Sequence, residues 1–175
     1  MASDQVRRLT LAAFLSSVGI ALFVLESFIP TPLPFMKLGL ANVATVLALL
    51  LLGPGDAILV IAVRIVAGSL LTGTLFSPGF LLSASAGCAS ACAMIITRKL
   101  TGSLFSPVGL SLVGSVIHVL TQYGIVRYLF VRSGTIALLV PFLLLSALVG
   151  GLVVGWMSRW LLLAVPAAGI LAGKR

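Results

Sequence analysis

Six apolar runs, separated by short breaks rich in Gly, Pro and Ser, leave this chain few folds to choose from. A run of about 20 apolar residues has the length of a bilayer-spanning helix, and in hydrocarbon only a helix or a closed barrel satisfies its own backbone polar groups. The runs fall at about 9–29, 38–52, 57–75, 80–97, 108–130 and 136–157, the second being short. The breaks carry turn chemistry: Pro30, Pro32 and Pro34; Gly53, Pro54 and Gly55; Ser77, Pro78 and Gly79; residues 102–107; Ser133 and Gly134. The expected fold is an all-α membrane protein, a bundle of six transmembrane helices forming a single integral domain over 1–175. Composition agrees, with 61% hydrophobic and only 8% charged residues, where a soluble domain carries about 25% charged. The first run is too long for a cleavable signal peptide and lacks a clear small-residue cleavage site, so it reads as the first span.

Eleven Lys plus Arg stand against three Asp plus Glu, a formal charge of +8. Nucleic-acid binding needs basic residues clustered on a solvated face, whereas these sit singly between apolar runs, so no nucleic-acid partner is expected. The excess reads as topology instead. With six spans both termini share one side, which collects Arg7, Arg8, Arg98, Lys99, Arg159, Lys174 and Arg175 and leaves mainly Lys37 and Arg132 opposite. That side is expected to be cytoplasmic, and Trp156 and Trp160 flank Arg159 where an interfacial aromatic belt would place them. The tail at 161–172 is apolar, contains Pro166 and is too short to span, so an interfacial or re-entrant segment is expected there. Asp4, Glu26 and Asp56 are the only carboxylates, which leaves no ligands for a two-metal or diphosphate-magnesium site and predicts neither metal nor cofactor. No glycine-rich phosphate loop ending in Lys-Ser or Lys-Thr is present, so the chain is not expected to be an ATPase or other self-contained enzyme. Cys88 and Cys92, one turn apart in an apolar stretch, read as packing residues.

An ionisable group inside a membrane is costly and therefore marks function by default. Glu26, near the outer end of helix 1, Arg64 in helix 3, and His118 and Arg127 in helix 5 qualify. Ser111, Ser115, His118 and Gln122 lie on one helical stripe, expected to face the bundle interior. A network that only fixes helix packing is the competing interpretation. The first connection adds Lys37 and Asn42 behind Pro30, Pro32 and Pro34, three prolines that stiffen it into a cap. Lys37, Arg64, Arg127 and His118 oppose a single Glu26, so a pocket built from them would be net positive and suit a small anionic solute bearing phosphate or carboxylate. The expected substrate-binding residues are Glu26, Lys37, Asn42, Arg64, His118 and Gln122. Ala13, Ser17 and Ala21 recur every four residues on helix 1, and Ser17 lies about 180° around the helix from Glu26. That small-residue face is expected to receive another helix, while Glu26 looks into the bundle. Helix 4, with Ser83, Gly87 and Ala91, reads as a closely packed internal helix.

The run Lys37-Leu38-Gly39-Leu40-Ala41-Asn42, with Glu26, Pro30 and Pro34 before it and Arg64, Gly68, Gly73, Gly109, Gly114, His118, Gln122 and Pro141 after it, resembles a family known both as Gx transporters and as heptaprenyl diphosphate synthase component I. The resemblance covers about 26–150 and departs at one position, where Val119 follows His118 in place of the family's usual asparagine. In size, span count and inside termini the family is similar to the substrate-binding S components of energy-coupling factor importers, which are multi-pass proteins of the prokaryotic plasma membrane. That likeness implies capture of a vitamin-like, phosphorylated or prenyl diphosphate solute from outside. It also implies docking of the Ala13, Ser17 and Ala21 face on a transmembrane T subunit, with separate ATPase subunits supplying energy. The family's second label implies instead a non-catalytic membrane component of isoprenoid or quinone metabolism that binds a prenyl diphosphate in the same pocket.

Overall fold

The structure, a computed structural model, describes residues 2–29, 39–102, 104–131 and 134–167. Six α-helices follow one another: α1 (Ala2–Phe28), α2 (Asn42–Leu51), α3 (Pro54–Leu71), α4 (Pro78–Thr101), α5 (Pro107–Ile125) and α6 (Val140–Ala167). A π-helical turn (Val126–Phe130) extends α5, and a 3-10 segment (Gly134–Leu139) leads into α6. Pro54, Pro78 and Pro107 each open a helix, where the missing N–H has no intrahelical partner to lose. Ser77 and Ser106 cap α4 and α5 by accepting the backbone N–H of Phe80 and Gly109, each at 3.2 Å. Gly53, at φ 103°, makes the left-handed turn from α2 into α3.

Arg8 near the start of α1 pairs with Asp56 near the start of α3 at 2.5 Å, so these two helices run parallel. The hairpins α3–α4, α4–α5 and α5–α6 alternate direction, which brings the end of α6 to the end of the bundle where α1 begins. This is called the terminal end below. Neighbours in the ring are α1 with α3, α3 with α4, α4 with α5, and α5 with α6; α2 packs inside it against α1, α3, α5 and α6. Residues 42–49 of α2 are all buried. Such burial is what a helix apolar on every side requires.

Five helices are long and apolar enough to cross a membrane, and α2 is not, since its 10 residues rise only about 15 Å against a hydrocarbon core of about 30 Å. The core around α2 takes Leu15 from α1, Val60 from α3, Met94 from α4 and Val154 from α6. Phe14, Leu25, Val66, Leu120, Leu145 and Leu152 are exposed on the outer faces. An apolar surface of that extent is a lipid-facing belt and identifies a multi-pass membrane protein.

Two sequence expectations are corrected, and one helix extends beyond its expected span. The sixth helix continues to Ala167, into the stretch that was expected to leave the bundle as an interfacial or re-entrant tail. Leu161 and Leu162 pack against the core around α2, and Pro166 falls in the last turn, where few intrahelical bonds remain to break. Residues 168–175 lie outside the described part. Cys88 and Cys92 are exposed and are not packing residues, because the buried face of α4 runs through Ser83, Gly87, Ser90, Ala91 and Met94 and leaves both thiols outside. The first helix begins seven residues before the expected span, at Ala2 instead of 9. Its opening turn carries Asp4, the sign of charge that a helix N-terminus favours.

Candidate functional site

Arg64 organises the interior. Its stem leaves α3 past Gly19 of α1, where an added Cβ would come within 3.1 Å of Arg64 Cδ and 3.2 Å of Ala44 Cβ. Glycine at 19 therefore opens the corridor that lets the side chain reach the middle of the bundle. There Nη1 and Nη2 each donate to Asn42 Oδ1 at 3.1 Å, and Nε has no hydrogen-bond partner. Only 4% of Arg64 is exposed. A guanidinium held by one amide oxygen keeps donor capacity for a further acceptor, most effectively a carboxylate or phosphate that it can grip with two parallel bonds.

The N-terminus of α2 meets this side chain. Asn42 is the first residue of α2, and the turn before it is closed by Asn42 N–H to Gly39 O at 2.8 Å and Val43 N–H to Leu40 O at 3.0 Å. The Leu40 N–H points elsewhere and donates to Glu26 Oε1 at 2.6 Å. Glu26, 6% exposed, thus places a carboxylate at the positive end of a helix that starts inside the protein. Phe23, Glu26, Asn42, Arg64, Ser83 and His118 line one cavity of about 20 Å³, to which α1, α2, α3, α4 and α5 all contribute. That is room for about one water molecule.

The structure therefore brings Glu26, Asn42, Arg64 and His118 together. Gln122 is buried one turn further along α5 but does not line the cavity, and Lys37 lies outside the described residues, as do Pro30, Pro32 and Pro34. Arg127 does not line it either; it sits in the π turn and donates to Tyr123 Oη at 3.4 Å. Among the described residues the charged side chains that line it are Arg64 and Glu26. Ser115 turns from the predicted stripe toward α6, where a Cβ on Gly151 would meet its Oγ at 3.0 Å. Sequence reasoning missed Phe23 and Ser83 as lining groups. Phe23 stands three residues before Glu26, hence on the same face of α1.

Ala13, Ser17 and Ala21 are exposed, on the opposite side of α1 from the buried Glu26. Ala12, Ala13, Ser16 and Ser17 border an outer apolar groove of about 390 Å³ whose other wall is Leu59 and Val63 of α3. No group of three or more metal-ligating side chains occurs among the described residues.

A sequence model of the family heptaprenyl diphosphate synthase component I matches residues 15–161, most of the chain. No curated protein and no solved structure matches it. The chain belongs to the heptaprenyl diphosphate synthase component I family, one of the Gx transporter group. Val119, where the sequence departs from the family pattern, packs against Leu143 and Ala147 of α6. The departure therefore lies on the face of α5 that packs against α6, about 100° around the helix from His118.

Proposed function

We propose that this membrane protein is a solute-binding subunit of an importer of the energy-coupling factor kind, and that the interior cavity takes the anionic group of a small solute arriving from outside. The observation that carries the reading is the buried guanidinium of Arg64, held by Asn42 at the N-terminus of α2 with Nε unmatched. In transporters, a helix that begins inside the membrane presents its positive end to anionic substrate groups. Asn42, Arg64 and His118 would grip the anion, and Glu26 would yield the N-terminus of α2 to it. Lys37 and Gln122 complete the set that the sequence nominates. The termini would be cytoplasmic. A T subunit would dock on the groove beside Ala13 and Ser17, and separate ATPase subunits would drive release, since the chain has no phosphate-binding loop of its own.

The family description favours a second reading, a non-catalytic membrane component of isoprenoid or quinone metabolism that holds a prenyl diphosphate. With three carboxylates in the whole chain, the magnesium-dependent chemistry would belong to a soluble partner. Mass spectrometry of small molecules that co-purify with the wild type, run beside Arg64→Ala, separates the two. A water-soluble anion enriched in the wild type supports the importer subunit, and a prenyl diphosphate supports the second reading. Identical samples remove the cavity as a solute site.

A further inference from the structure

Several intrahelical hydroxyls of this bundle bond back to their own helix, as Thr101 does to Thr97 O at 2.6 Å, Thr121 to Ile117 O at 2.8 Å and Ser158 to Val154 O at 2.8 Å. Thr45, Ser90 and Ser111 do not. They are buried to within 2% of complete, and their hydroxyl oxygens have no hydrogen-bond partner. A buried hydroxyl without a partner costs stability and calls for a reason.

Their placement supplies one. Ser90 stands seven residues from Ser83 on α4, and Ser111 seven residues from His118 on α5. Seven residues are two turns, about 10 Å, and return to within about 20° of the same helix face. Ser83 and His118 line the cavity, so Ser90 and Ser111 lie below it at one common depth toward the terminal end, with Ser111 also against α6, where a Cβ on Gly155 would meet its Cβ at 3.2 Å. The two helices are closely apposed there, since a Cβ on Gly114 would meet Ser90 Oγ at 3.0 Å. On α2, Thr45 sits one turn below the cavity-lining Asn42. The same α4 face carries a third hydroxyl residue, Thr97, another seven residues on and next to Arg98. A fourth unmatched hydroxyl, Ser69, belongs to α3 on the other side of the cavity.

We propose that Thr45, Ser90 and Ser111 line a hydratable passage from the cavity toward the terminal end, closed here by the contact of α4 with α5 and wetted when they part. Water and a small hydrophilic solute then meet hydroxyls where the surrounding core is otherwise alkyl. The passage goes beyond the solute reading above and is tested without any solute.

The test uses the full chain carrying Cys88→Ala and Cys92→Ala, with Ser90→Cys or Ser111→Cys introduced singly. Val60→Cys and Leu110→Cys, at equally buried apolar positions, serve as controls. A charged, water-soluble methanethiosulfonate is expected to modify the two serine-site thiols at least about tenfold faster than the controls. Equal rates would overturn the passage, while leaving the Arg64-dependent mass-spectrometric result as it stands. Ser90→Ala and Ser111→Ala give a second readout. The melting temperature is expected to hold or rise on removal of an unmatched hydroxyl, and a fall would show that these groups hold the packing and would overturn the proposal.

Discussion

The bundle has two unlike halves. Helices α1, α2 and α3 meet through polar and ionised groups, Glu26 to the Leu40 N–H and Arg64 to Asn42, around a glycine that makes room for an arginine stem. Helices α4, α5 and α6 meet through glycines that bring backbones together: a Cβ on Gly155 would stand 2.5 Å from Val108 Cα, and one on Gly114 would stand 2.8 Å from Met94 Sδ. In lipid there is little hydrophobic gain from helix association, so close packing and hydrogen bonds do the work instead. The second half is tight and, among its described residues, carries hydroxyls but no buried charge, whereas the first tolerates a charged pair and an unmatched guanidinium nitrogen. Charged groups collected in one half, beside a closely packed other half, are the arrangement expected of a site and its scaffold.

The largest effect is expected where the scaffold is crowded. Gly155→Ala must push α6 off α5, because the obstructing atom is backbone, and should lower stability by about 1–3 kcal/mol. Thermal unfolding in detergent measures this, and the folded fraction should retain its co-purifying solute. Loss of solute at unchanged stability would erase the distinction between the halves. Next come Arg64→Ala and His118→Ala, each expected to weaken solute affinity at least about tenfold, or 1.4 kcal/mol, while still inserting in the membrane. Full affinity in a well-folded variant would remove that residue from the site. Ser17→Leu fills the small-residue face of α1 and should reduce co-purification of partner subunits, with solute affinity held within about twofold. Assembly that survives it would leave the outer groove without a role. Smallest is Arg8→Ala, which breaks an ion pair whose arginine is 59% exposed, a contact worth about 0–1 kcal/mol. A larger loss would make the terminal end part of the scaffold.

Much of this was legible in the sequence. The helices and their breaks follow from apolar run length and from Pro54, Pro78 and Pro107, and the expense of ionisable groups in lipid pointed to Glu26, Arg64 and His118 before any contact was known. The partner of Arg64 was not legible, because Asn42 lies 22 positions away and only helix packing brings them together. The orientation of α2 was hidden as well, since a helix apolar on all sides offers no periodic stripe from which to read its facing. Arg127 misled for another reason. Its charge nominated it, but nine residues from His118 put it about 180° around the helix, where it donates to the Tyr123 hydroxyl instead of lining the cavity. The length of α6 escaped because Pro166 was taken as a boundary, while its helix was already near its end.

The size of the cavity has a kinetic consequence. A space of about 20 Å³ is far below the several hundred Å³ that enclose a typical small molecule. A solute larger than water must wait for a wider conformation, so its observed affinity is the intrinsic one scaled by the fraction of time the bundle spends open. Association should then level off as solute concentration rises, at the rate of opening, and departure should be slow for the same reason. On the proposed solute-binding reading, the protein would keep what it has caught for as long as the bundle stays shut, and residence time would be a property of helix motion more than of the contacts in the cavity.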